Sequence, residues 1–189
     1  PESQTFRYAR ALGCEFVSLS MTPTPENLSA TVRDLRDARQ RSADQGLTLT
    51  YHNHQHEFQR MPDGRTLLDA LREGTEDVGL LFQLDVFFAF CAGEDPCACL
   101  RRFTGRTPQI HLNDLEHAAR GRTDSNATSM QHATELGSGC LDLPAIYRTA
   151  VETGVRRIVI EQHTTRKTAL ASARINFERY HAAPPFRIP

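Results

Sequence analysis

A chain of 189 residues, 39% hydrophobic and 24% charged, holds enough apolar material for one globular core and too little for a membrane protein. Its formal net charge of -1 supplies no cationic surplus for nucleic acid or an anionic bilayer. No run of about 18 apolar residues offers a membrane span and no stretch reads as a signal-peptide core; five cysteines without a disulfide framework point to a reducing cytoplasm.

Apolar β-type runs alternate with amphipathic helical ones. FRYARALG (6–13) reads as the end of a helix stopped by Gly13, and CEFVSLS (14–20) as a buried strand. Thr24-Pro25-Glu26 opens a helix, because proline is tolerated in the first turn. Leu28, Val32, Leu35 and Ala38 give that helix an apolar stripe, and Gly46 closes it. LTLTYHNH (47–54) is the next strand. Pro62, Asp63 and Gly64 mark a loop before the short helix TLLDALRE (66–73), which Gly74 ends.

VGLLFQLDVF (78–87) reads as one nearly all-apolar strand, the composition of a parallel strand covered on both faces. Asp95-Pro96 starts a helix through CACLRRF, which Gly105 stops. Cys97 and Cys99, two apart on it, face different sides, which argues for packing and against a metal clip. TPQIHLND (107–114) is a strand. The segment from Leu115 to Gly139 is polar and irregular, and a loop of that length is expected to be either a lid or disordered. Asn126-Ala127-Thr128 matches a glycosylation pattern and is expected to be a chance match. Leu143-Pro144 opens a helix, RRIVIEQ (156–162) is the last strand, 167–181 the last helix, and PPFRIP (184–189) a surface tail.

Five strands alternating with helices are the pattern of an α/β parallel sheet. Right-handed crossovers bring the C-terminal strand ends to one rim, where ligands bind in open sheets and β/α barrels alike. Four of these ends carry carboxylate or imidazole: His52, His54, His56 and Glu57 after one strand, then Asp85, then His111 and Asp114, then Glu161 and His163. Any one alone is more simply a solvated loop residue or a helix cap. On consecutive strands they point to one shared site. Such a mixed donor set suits Mn²⁺, Mg²⁺, Co²⁺ or Zn²⁺, and open coordination positions would make it catalytic. His56, His117, His132 and His181 are expected to be incidental, and Phe87, Phe88 and Phe90 fit core packing more simply than a sugar-site floor.

YHNHQHEF (51–58) resembles the YHNH…EF motif of the sugar phosphate isomerase/epimerase family, which is related to xylose isomerase barrels. LDVFFAFCAGEDP (84–96), HLND (111–114), ELGSGCLDLPAI (135–146) and IVIEQH (158–163) resemble further segments of that family, in its order, over about Phe6 to Ala173. The resemblance implies an α/β fold of the (β/α)8 TIM-barrel type with a divalent cation at its carboxyl mouth, held by Glu, Asp, His and Glu. Carried onto this chain, Asp85, His111 and Glu161 are metal ligands and Glu57 is the first of the set, with His54 as the alternative. The implied chemistry is proton transfer next to a carbonyl of a sugar, keto-sugar or cyclitol, through an enediolate. His52 or His54 is the expected base, with support of the metal ligands as the other role open to that pair, and Glu161 is the catalytic ligand. Asn53, Phe88, Asn113 and His163 are the candidates for substrate contact. Asn113 stands where the family has lysine and His163 where it has aspartate, which argues against a phosphorylated substrate.

A complete eight-stranded barrel takes about 250 residues. This chain supplies about five β/α units, matching the family's fourth to eighth strands. The expected organisation is a single barrel domain over 1–189 that lacks the first three units. Both sheet edges would then be exposed, and a second copy is the expected cover. Two further functions stay open beside an isomerase/epimerase: a metal-dependent inosose or keto-sugar dehydratase, and a catalytically impaired barrel piece. An abasic-site endonuclease would show more ligands and a basic DNA-facing surface.

Overall fold

The computed structural model describes residues 4–119 and 125–182. In chain order it contains α1 (Gln4–Ala11), β1 (Phe16–Leu19), α2 (Leu28–Ala43), β2 (Thr48–His52), α3 (Leu67–Gly74), β3 (Leu81–Asp85), α4 (Val86–Cys91), α5 (Pro96–Arg102) and β4 (Gln109–Leu112). There follow β5 (Asp114–Leu115), α6 (Asn126–Gln131), β6 (Ala133–Thr134), α7 (Leu143–Glu152), β7 (Arg157–Ile160) and α8 (Ala169–Ala182). Five strands form one parallel sheet in the order β1-β2-β3-β4-β7, and β5 pairs with β6 separately. No described helix is long and apolar enough to cross a membrane.

Alternation along the strands sets the two faces of the sheet. Leu49 and Tyr51, Phe82 and Leu84, and Ile110 and Leu112 are all buried on the face that packs against the helices. The intervening Thr50, Gln83 and Gln109 are polar, and they face the other way. This second face is concave. Strands lie about 4.8 Å apart, so β1 and β4 in a flat sheet would stand about 14 Å apart. Instead Gln109 Nε2 on β4 donates to Thr50 Oγ1 on β2 at 2.9 Å and to Ser18 Oγ on β1 at 3.3 Å. At the opposite end of the strands, Arg156 and Arg157 reach Glu15 at 3.0 and 2.6 Å. The sheet is a curled half-barrel of five parallel strands, part of a TIM barrel.

Local chemistry sets the helix starts. Thr66 and Asp69 form a reciprocal capping box at α3, and Asp95 caps α5 with Pro96 in its first turn. Helix α2 begins at Leu28 rather than at Thr24, because Asn27 Oδ1 accepts from Thr24 N–H at 2.7 Å and folds 24–27 into a turn first. The stretch 78–87 also differs from the single strand expected of it. Strand β3 stops at Asp85, whose Oδ1 accepts from Phe88 N–H at 2.9 Å and starts α4. The apolar run hid that cap, and the polar Gln83 shows that only one face of β3 is apolar. Leu35, Leu68, Leu71, Phe87, Leu100, Phe103 and Ile146 fill the layer between sheet and helices. Each such side chain contributes about 1.5–3 kcal/mol by leaving water.

The segment after β4 folds over its described part into β5, α6 and β6, so the alternative of a disordered loop does not hold there. The Asp114 carboxylate accepts N–H groups from Leu115, Gly137, Gly139 and Leu141 at 2.9, 2.9, 2.9 and 3.1 Å. Asp114 therefore clamps the returning chain and is not a strand-end ligand. Residues 120–124, in the middle of the segment, and the tail PPFRIP lie outside the described residues.

Among the described residues no strand pairs with the outer edge of β1 or β7. A cleft of about 490 Å³, lined by Phe6, Val17 and Leu49, follows the β1 edge. Another of about 320 Å³, lined by Ile160, Phe177 and Tyr180, follows the β7 edge. Leu12 is 79% exposed and Leu170 is 81% exposed at this periphery.

Gly139 makes the Asp114 clamp possible, since a Cβ there would lie 2.2 Å from Leu115 O and 2.3 Å from Asp114 Oδ1. Gly139→Ala should lower stability by about 1–3 kcal/mol through that overlap, read as an earlier urea midpoint. A midpoint equal to the parent's would show that the clamp does not hold the loop.

Candidate metal centre

Side chains on the concave face converge where the strands end. His52 closes β2 on the same face as Thr50. Asp85 closes β3, and His111 sits opposite it in register on β4. Glu161 follows β7, its N–H donating to Leu112 O at 3.1 Å. One ligand atom from each of these four lies within 4.8 Å of all the others. His111 Nδ1 stands 2.8 Å from Glu161 Oε2, and the His52 and His111 rings are 4.5 Å apart.

Asp85 is 1% exposed, and its second oxygen, Oδ2, has no hydrogen-bond partner. Burial pushes its carboxyl up to about 7. Burial, then the neighbouring His111 and His54, lowers His52 to about 4, and its Nδ1 is likewise unpartnered. The hydrogen bond with His111 holds the Glu161 carboxyl below its usual range. A buried acid oxygen and a buried imidazole nitrogen without partners are the donors a divalent cation takes up. Two imidazoles and two carboxylates fit Zn²⁺, Co²⁺ or Mn²⁺ better than Mg²⁺, which prefers an all-oxygen shell.

Glu57 stands apart from these four. It lies on a 3-10 turn, His56–Phe58, and is fully buried. Its Oε1 accepts from the Tyr51 hydroxyl at 2.7 Å and its Oε2 from His54 N–H at 2.9 Å. Tyr51 points to the helix-packed face, so the turn carries Glu57 to that side of β2. His52 takes the place beside Asp85 instead. Alternation carried the signal, because Thr48, Thr50 and His52 share one face. His54, the alternative first ligand, groups with His56 and Glu57, their ligand atoms within 4.8 Å of one another.

The other expected site residues divide. Phe88 is fully buried, yet its ring lies 5.3 Å from His54 and 5.5 Å from His163. His163 Nε2 is 3.6 Å from Glu161 Oε2. Asn113 is 1% exposed and neither atom of its amide has a partner. Asn53, also buried, accepts from Asp85 N–H at 3.0 Å and donates to Asp85 O and His54 O at 3.4 Å each, so its amide fixes the β3 end. Gln55 was not expected at all. Its N–H donates to Asn126 Oδ1 at 2.9 Å and its Oε1 accepts from Ser129 Oγ at 2.6 Å, tying α6 to the turn after β2.

The family model described as xylose isomerase-like TIM barrel matches residues 3–179. The chain is 28% identical to the rhizopine catabolism protein MocC of Rhizobium meliloti over 176 residues, covering 86% of this chain and 53% of that one. A sugar phosphate isomerase/epimerase from Parabacteroides distasonis shares the fold with a TM-score of 0.79 at 19% identity, with 96% of this chain matching 62% of that one. The IolI protein, solved with a binding zinc atom, gives a TM-score of 0.73 at 16% identity, 94% of this chain matching 66% of that one. The chain thus spans about half of MocC and about two thirds of these structures.

The opposed shifts of Asp85 and His52 give metal-free protein a definite pH dependence. The Asp85 carboxyl, raised from 3.8 to about 7, keeps a proton that the unfolded chain releases, so its effect lowers stability as pH rises between those values. The His52 imidazole, lowered from 6.5 to about 4, refuses a proton that the unfolded chain takes, so its effect lowers stability as pH falls between those values. Asp85→Asn removes the first effect. At pH 8 in chelator it should be more stable than the parent by roughly 2 kcal/mol, and excess Zn²⁺ should reverse the order. Urea melts that rank Asp85→Asn below the parent at pH 8 without metal would contradict this.

Proposed function

The chain belongs to the xylose isomerase-like TIM barrel family, and from that membership we propose that it is a divalent-metal-dependent isomerase or epimerase of a sugar, keto-sugar or cyclitol. The reaction is proton transfer next to a carbonyl. The observation that carries the reading is the meeting of His52, Asp85, His111 and Glu161 at the carboxyl ends of neighbouring strands. A cation held by these four would polarise a substrate carbonyl and the adjacent hydroxyl. The zinc of the IolI structure belongs to that protein and supports the choice of a borderline ion.

Glu161 is the proton acceptor in this reading, in place of the expected His52 or His54, because His52 joins the four-residue cluster and His54 groups with His56 and Glu57. Glu161 is half-buried, and His111 keeps it ionised near neutral pH. Phe88 and His163 wall one side of the site and shield it from water. The unpartnered amide of Asn113 is suited to a neutral substrate hydroxyl, and its place in a family position held by lysine argues for an unphosphorylated substrate. The cysteines stay reduced in the cytoplasm, where the proposal places the protein. A second copy covers the open β1 and β7 edges, through the clefts that border them.

In D₂O with Mn²⁺, Co²⁺ or Zn²⁺, the protein should exchange one carbon-bound proton of a keto-sugar or inosose. Glu161→Gln at saturating metal should slow this by roughly 10²–10⁴-fold. Loss of water instead of exchange would make it a dehydratase, and no turnover of any panel member would sink the enzyme reading. Light scattering across a hundredfold concentration range should report a dimer or larger species; a monomer throughout would remove the second copy.

A further inference from the structure

Beside the four-residue cluster, Glu57 poses a separate electrostatic problem. It is fully buried, and among the described residues no lysine or arginine answers its charge. Its partners are the Tyr51 hydroxyl, the His54 N–H and His56, whose Nδ1 lies 3.2 Å from Glu57 Oε2. Two ligands on a tetrahedral ion at about 2.1 Å lie about 3.4 Å from each other, close to this spacing. One ligand atom each from His54, His56 and Glu57 lies within 4.8 Å of the other two. His56 also lines an open cleft of about 580 Å³ together with Gln55, Gln59 and Asn126, which gives an ion a way in.

We propose that His54, His56 and Glu57 form a second divalent-cation site next to the first, of the imidazole–carboxylate type that zinc favours. The ion neutralises Glu57 and fixes the turn that follows β2, with its fourth position open to the cleft. The inference goes beyond the proposed reaction and does not depend on it. It requires neither turnover nor occupation of the Asp85 site.

The full chain, stripped with chelator, is titrated with Zn²⁺ alone and its bound metal counted by elemental analysis after dialysis. Cobalt(II) absorption spectra report the ligand sets. The parent should bind two equivalents, and Asp85→Asn, His54→Ala and His56→Ala one each, with the cobalt spectrum of Asp85→Asn differing from that of His56→Ala. One equivalent in the parent, lost in Asp85→Asn and kept in both histidine variants, would overturn the second site. One equivalent kept in Asp85→Asn and lost in His56→Ala would support it while sinking the first. Far-UV circular dichroism checks folding, and His56→Gln, which keeps a polar side chain in place, gives the same count if His56→Ala does not fold.

Discussion

Asp85 places a carboxylate at the end of the central strand, where water cannot reach it and, among the described residues, no cationic side chain answers it. An isolated ionised acid in such a position is costly, so it either keeps its proton or acquires a cation. The surroundings favour the second outcome. His52 is kept neutral by burial, and Glu161 is kept ionised by His111, so the neighbours present lone pairs and negative charge. The same carboxylate also starts α4 through Phe88 N–H, and Asn53 grips its backbone from both sides. The site and the β3–α4 turn are thus one construction, and a change at Asp85 reaches both.

Much of this was legible in the sequence. Alternation in LTLTYH, FQLD and QIHL separates an apolar face from a polar one, and the parallel order follows from strands alternating with helices. The convergence of Asp85, His111 and Glu161 follows from that alternation, since each lies on the polar parity at its strand's end. His52 obeys the same parity. The family pattern of a carboxylate in first place drew attention to Glu57, five residues on. No periodicity predicts that a single 3-10 turn carries Glu57 to the Tyr51 side. Helix α4 was hidden for a different reason: Val86–Cys91 is apolar on all sides, so neither period marks it, and its only start signal is the cap Asp85.

The concave face also explains how the four side chains can meet on an open sheet. Ser18, Thr50 and Gln109 hydrogen-bond across the trough, and Glu15 bridges to Arg156 and Arg157 below, so the curl is held by bonds within the five strands. The four candidate residues share one parity on the concave face, and Asp85 and His111 pair in register. What the sheet does not supply, among the described residues, is a strand to cover β1 and β7, whose edges border apolar clefts.

The most direct measurement is anomalous diffraction from crystals of the chain grown with Zn²⁺, collected on both sides of the zinc edge. A peak within bonding distance of His52, Asp85, His111 and Glu161 is the expected result. Ordered density for all four side chains with no anomalous peak between them, or a peak that leaves Asp85 outside its shell, would contradict the claim that they meet to hold one cation.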